Sequence, residues 1–368
     1  MESRLFSEKQ INGARQNEMD WARGFAVLFM VLIHVKSEML DFQSPALFSR
    51  VMEFCGGPLA APVFMALLGV GIIYSKSRTP KKLAIRGLWL FAGHYILNLL
   101  YSGVPRLIML ARTGDEYYSA SFWKYTFSID IFAFAGLTFL FFALVEKLKL
   151  KNVHLILVAL IFSLINYIGA SSVDYSALGA FLGLFFHVNY FSFFPFFSWI
   201  WYPIMGYIFG SFLIRCTDKK TFYSYAFVFS ALIVVLLSFG ANKYGFDIWS
   251  MHSGVKSDYF FQDFISHILL SGIFFMWLGV LYGVSQLKIF RLFGNVVSRW
   301  SRNVTVIYVV QWLIIGWVSI LGLLDLPVTA LASTITGIVI LILSDAAAWL
   351  YLKTKKAISS DNGGVKAG

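Results

Sequence analysis

The side chains best placed for chemistry lie in the first apolar stretch, MDWARGFAVLFMVLIHV, which carries Arg23 and His34. At about 100° per residue, their eleven-step offset comes to about 1100°, some 20° from three full turns. On a helix the two side chains share a face and stand about 16 Å apart along the axis. Glu38 follows His34 by one further turn on that face. A guanidinium holds anions. An imidazole titrates near neutrality and serves as a base or a nucleophile. The same spacing also fits a snorkelling arginine above a satisfied interior histidine.

What must position this stripe follows from composition. The chain has 368 residues, 58% of them hydrophobic and 13% charged, with a mean hydropathy of +0.72. Soluble domains carry about 25% charged residues. One water-facing globule cannot hide so much apolar surface, so the solvent is a bilayer. Apolar runs of 18 or more residues select helices over barrel strands of about 10 residues. The predicted class is an all-α polytopic membrane protein. Ten transmembrane helices are drawn at roughly 21–37, 58–75, 83–101, 122–145, 152–171, 195–214, 222–241, 264–286, 303–322 and 327–352. Gly69 and Gly71 read as close helix contacts. Asn303, Tyr308, Gln311 and Asp345 read as packing hydrogen bonds.

The net charge of +11 points to topology rather than to nucleic acid. With both termini cytoplasmic, the cytoplasmic segments hold 23 of the 30 Lys and Arg residues and the outer loops seven. Making the apolar stretch 176–190 a full span would invert every later basic cluster. It therefore reads as an outer-face re-entrant or interfacial segment. The first 18 residues lack an apolar signal core, so no cleavable signal peptide is expected and the first span acts as the insertion signal. Residues 1–18 form a cytoplasmic segment, 19–353 the membrane domain and 354–368 a polar, disordered tail. Cys55 and Cys216 fall on opposite sides and should not pair. The six scattered histidines show no metal-ligand spacing, so no metal is expected.

The first stretch resembles the opening span of the acyltransferase 3 family, through Asp20, Arg23, Gly24, Ala26 and His34. Further stretches resemble the related heparan-α-glucosaminide N-acetyltransferase-like membrane proteins, in the same order along the chain: GGPLAAPVFMALLGVGIIYSK (56–76), KKLAIRGLWLF (81–91), SIDIFAFAGLTFLFFAL (128–144), FFPFFSWIWYPIMGYIFGSFL (193–213) and NVTVIYVVQWLIIGW (303–317). Two positions depart from these families. Gln311 stands where a histidine is common, and 35–57 lacks the histidine of the heparan-type first outer loop.

The resemblance implies an inner- or plasma-membrane enzyme. It would pass an acyl group, most simply acetyl, from cytosolic acetyl-CoA to a hydroxyl or amine of a cell-envelope sugar or glycan. Arg23, Lys81, Lys82 and Arg86 would hold the donor's phosphates at the inner mouth. An arm reaching inward about 16 Å would bring the thioester near His34, as base or acyl acceptor. Glu38 or Asp130 would orient the imidazole, as carboxylates do in triads. Asp130 is placed about eight residues inside the fourth span, near the depth of His34. His94 and His187 are candidates for substrate contact, the latter within an aromatic segment that also suits a membrane belt. The competing reading is a proton-coupled secondary transporter or flippase, with the same histidine and aspartate as a relay. It calls for inverted repeats, and none is evident. The sequence leaves the oligomeric state open.

Overall fold

The structure is a computed structural model that describes residues 5–39, 45–169, 173, 176–189, 191–244, 259–287, 291–323 and 329–364. It is built from helices: α1 (Asn17–Met39), α2 (Ala46–Gly56), α3 (Ala61–Tyr74), α4 (Pro80–Asn98), a π-helical turn (Leu99–Gly103), α5 (Val104–Thr113), α6 (Glu116–Thr126), α7 (Ile131–Leu148), α8 (Asn152–Gly169), α9 (Ala177–Gly183), α10 (Phe196–Trp199), α11 (Trp201–Leu213), α12 (Lys219–Tyr244), α13 (Phe264–Ser285), α14 (Arg291–Arg302), α15 (Val304–Ile320) and α16 (Ala330–Gly364). Among the described residues no strand forms beyond two isolated bridges. The chain is an all-α, multi-pass membrane protein.

Among the described residues, eight helices are long and apolar enough to cross a bilayer, and α14 with α15, bent by 80°, make a ninth. The charged side chains of α1 (Glu18, Asp20, Arg23, Lys36 and Glu38) keep it outside that count. Several expected boundaries move. The second span reaches back through α2 to Ala46, and the third runs on through α5 to Thr113. The fourth is not 122–145: α6 ends at Thr126 and α7 starts at Ile131. Asp130 is therefore the N-cap of α7, not a mid-span residue. The reason is local. Its carboxylate accepts from the Phe132 and Ala133 N–H groups, which a helix start leaves unpaired.

The stretch 176–190 makes no span. It forms α9, capped by Ser176, and then folds back. The Phe196 N–H donates to Leu184 O, and the Ile129 N–H donates to Phe191 O. At the other end of the chain α16 is helical to Gly364, into the tail for which the sequence predicts no structure. Extending a formed helix costs far less than nucleating one.

Small residues set the packing. A Cβ on Gly69 would lie 1.9 Å from Pro203 O, and one on Gly206 would lie 1.9 Å from Ala66 O, so α3 and α11 meet backbone to backbone. Gly71, by contrast, has nothing within 4 Å of such a Cβ, and its expected helix contact does not exist. One apolar cluster joins α3, α7, α11 and α13 through Met65, Phe134, Tyr202 and Phe274. A second joins α1, α15 and α16 through Val31, Ile307 and Leu341.

Candidate active site

A cavity of about 520 Å³ lies between the two clusters. Its polar end is lined by Arg15, Asp20, Arg23, Arg86, Ser301 and Arg302, and its far end by Met30, Ile131, Phe132 and Tyr308. Arg23 is half-buried on α1. Its guanidinium donates to Leu67 O at 3.3 Å and to Ser301 Oγ at 3.5 Å. Ser301 in turn donates to Asp20 at 3.1 Å, and Arg15 pairs with the same carboxylate. Arg86 lies 4.4 Å from the centre of the Phe139 ring. This end therefore carries four guanidinium groups and only one lining carboxylate. Arg23 and Arg86 were expected here. Lys81 and Lys82 are exposed and do not line the cavity. Arg15 and Arg302 take their place, brought in by the polar segment before α1 and by the sharp turn from α14 to α15.

At the far end a buried polar cluster surrounds Asp130. The His94 Nδ1–H donates to one carboxylate oxygen at 2.7 Å, and the Tyr308 hydroxyl donates to the other at 3.1 Å. Tyr308 also lines the cavity and stacks on Phe132, with ring centres 4.6 Å apart. His94 is fully buried, and among the described residues its Nε2 has no partner. Two expected candidates, Asp130 and His94, thus meet each other.

His34 sits beside this cluster, half-buried between α1 and α15. Its ring centre is 4.4 Å from that of Trp312 and 6.4 Å from that of Tyr308. The Gln311 amide nitrogen donates to His34 Nδ1 at 3.1 Å. Neither Glu38 nor Asp130 is hydrogen-bonded to the imidazole. Glu38 is exposed, and its backbone oxygen accepts from Ser319 at 3.3 Å. His187 is apart from both groups, donating from Nδ1 to Ser192 O at 2.9 Å. Asp345 pairs with Arg299, joining α16 to α14. Sequence reasoning treated Tyr308 and Gln311 as packing groups. Their meeting with Asp130 and His34 depends on tertiary placement across most of the chain. Among the described residues no group of three or more His, Cys, Asp or Glu is arranged to hold a metal ion.

Fold and site together define a polytopic membrane protein with an arginine-rich cavity running toward a buried His, Asp and Tyr cluster. A family model for the catalytic domain of heparan-alpha-glucosaminide N-acetyltransferase matches residues 15–253, more than half of the chain. The chain belongs to that family and is a transmembrane acetyltransferase. No curated protein matches it. The matched stretch contains Arg15, Arg23, His34, Arg86, His94 and Asp130, whereas Tyr308 and Gln311 lie beyond it.

Proposed function

We propose that this enzyme moves an acetyl group from cytosolic acetyl-CoA to an amine or hydroxyl of a cell-envelope glycan, with His34 as the base. The observation that carries this reading is the cavity, which has arginines at one end and the Tyr308 wall beside His34 at the other. Arg15, Arg23, Arg86 and Arg302 supply the charge-assisted contacts that phosphates need. The acceptor gives its proton to His34 while its lone pair attacks the thioester carbonyl. The carbon–sulfur bond breaks as the tetrahedral intermediate collapses. The CoA thiolate then takes the proton back from His34, which restores the enzyme. Transfer of label from radiolabelled acetyl-CoA to extracted envelope glycans by purified protein tests this reading. Gradient-driven uptake into liposomes without transfer would replace it with the transporter.

This reading requires the arginine-lined end to face the cytosol, as the basic-residue distribution predicts. A cysteine at exposed Lys220, in a protein lacking Cys55 and Cys216, should react only with reagents that reach the cytosol. Labelling from outside would reverse the orientation and remove cytosolic acetyl-CoA as donor.

Arg23→Ala should weaken acetyl-CoA binding by about 1.5–3 kcal/mol, the worth of a charge-assisted hydrogen bond. Acceptor KM should stay near wild type, and Arg23→Lys should recover only part of the loss, because a point charge does not replace the guanidinium fork. Calorimetric titration of the donor checks this. Unchanged donor affinity in Arg23→Ala takes the residue out of the donor site.

A further inference from the structure

A second cavity, an apolar groove of about 650 Å³, opens between α8, α11 and α12 and shares no lining residue with the arginine-lined one. Small side chains make the room, since Ala159 on α8 and Ala226 on α12 both line it. Its floor is a stripe of α11, Trp201, Met205, Ile208 and Phe212, at the three- and four-residue spacing that keeps to one helix face. The eleven steps from Trp201 to Phe212 cover about 16 Å. One leaflet has nearly the same depth, about 15 Å of a hydrocarbon core about 30 Å thick. Only Trp201, Tyr225 and Ser230 among the lining side chains carry nitrogen or oxygen, and Trp201 already gives its N–H to Ser271 at 3.0 Å. The edges of the groove, Ile156 on α8 and Tyr225 and Phe229 on α12, are exposed on spanning helices and so meet lipid.

The groove ends in a cation. One turn past Phe212 the α11 stripe reaches Arg215, which is half-buried. Its guanidinium carbon lies 6.0 Å from the centre of the Phe212 ring, and its Nε–H donates to Ser211 O at 3.0 Å. A strap of N-terminal chain holds this turn in place. The Ser7 N–H donates to Arg215 O at 2.8 Å, the Thr217 N–H to Leu5 O at 2.9 Å and the Ile11 N–H to Ile214 O at 2.9 Å. Phe6 of the strap packs over the mouth of the groove, with its ring centre 5.4 Å from that of Phe212 and 5.8 Å from that of Phe222. The strap runs on to Arg15, so the cation and the arginine-lined mouth lie at the same end of the bundle.

The neighbouring charges are already engaged. Lys219 pairs with Glu18 at 2.7 Å, and Asp218 accepts from Thr221. Among the described residues no carboxylate comes within ion-pair distance of Arg215.

We propose that this groove binds one anionic phospholipid of the leaflet at the arginine-lined end, with an acyl chain along α11 and its phosphate on Arg215. The groove has the length and the apolar wall that a single chain needs. The guanidinium at its mouth matches a phosphate with two parallel N–H groups. Basic groups between spanning helices at the membrane surface draw anionic headgroups in this way. A protein partner would bring a polar rim, whereas the edges here are isoleucine, tyrosine and phenylalanine. The site stands apart from acetyl transfer, because neither Arg215 nor any residue of the groove lines the arginine-rich cavity.

The test uses full-length protein in vesicles of dioleoyl phosphatidylcholine. Trp201 lines the groove, so a bromine-carrying chain bound there quenches its fluorescence. Phosphatidylglycerol with dibrominated chains should quench saturably, at a mole fraction about five- to ten-fold lower than phosphatidylcholine with the same chains. Trp201→Phe should lose the saturable part of the signal. In Arg215→Gln the two lipids should become equal, and Arg215→Lys should keep part of the preference because the charge remains. Ala226→Phe fills the groove and should remove saturable quenching by either lipid. Quenching that never saturates, equal demand for the two lipids in wild type, or a preference that survives Arg215→Gln overturns the proposal. If Arg215→Gln does not fold, Ala226→Phe decides, and saturable quenching that persists in it overturns the site. Disulfide crosslinking of two chains through a cysteine at exposed Tyr225 would place a second copy on the groove instead and would also overturn it.

Discussion

His34→Ala should abolish acetyl transfer while the protein still inserts, purifies as a single species and binds acetyl-CoA. Loss of a general base costs about 10²–10⁴-fold in rate. Folding should survive because His34 is only half-buried and, among the described residues, its one side-chain hydrogen bond is to Gln311. That bond also decides which ring nitrogen works. With the amide nitrogen donating to Nδ1, the ring proton sits on Nε2. With the amide turned over, Oε1 accepts from Nδ1–H and Nε2 keeps its lone pair. The two amide ends are nearly identical in shape, so one buried side chain serves either arrangement. Base catalysis requires the second. Because a protonated imidazole cannot accept the acceptor's proton, activity should fall at acid pH. Rate measurements at saturating acetyl-CoA check the variant. A well-folded His34→Ala protein with full turnover would end the base assignment and shift attention to Tyr308, which lines the arginine-lined cavity.

The alignment of Arg23 with His34 was readable because helical periodicity is a local property. Both residues lie on one uninterrupted helix, so counting residues places them. The same counting failed at Asp130. The apolar run 122–145 reads as continuous, but an aspartate directly before an apolar stretch is also a helix-start signal. Capping prevailed because a helix end has N–H groups to satisfy. Gln311 and Tyr308 were legible only as polar residues in an apolar span. Their partners lie 277 and 178 residues away, and no local pattern encodes that pairing. Arg302 was visible as a charge. Its place at the arginine-lined cavity depends on the 80° bend between α14 and α15, which is a tertiary feature. The continuation of the third span to Thr113 is hidden in the sequence, where the apolar run reads as ending near residue 101. The Gly103-Val104-Pro105 sequence suits a disturbed helix better than a span end, since proline removes a backbone donor and crowds the preceding turn.

Asp130→Ala should be the most destabilising single change at the site. One carboxylate there serves three elements. It takes the His94 proton from α4, the Tyr308 hydroxyl from α15 and the first N–H groups of its own helix α7. Removing it strands all of these donors in a water-poor interior. Each unpaired buried group costs about 1–3 kcal/mol, and a lost N-cap about 1 kcal/mol. These penalties are not additive, because His94 and Tyr308 can shift once the carboxylate is gone. About 3–5 kcal/mol is the expected range for breaking such a buried cluster. Asp130→Asn keeps the cap and one acceptor oxygen, so it should cost less. Its amide nitrogen would face either His94 Nδ1–H or the Tyr308 hydroxyl, donor against donor. Thermal unfolding in detergent should therefore rank wild type above Asp130→Asn above Asp130→Ala. Tyr308→Phe should be milder than either, and it should cost almost nothing further when added to Asp130→Ala. Full additivity of that pair would mean that the hydroxyl and the carboxylate act independently, and the cluster would no longer count as one coupled unit.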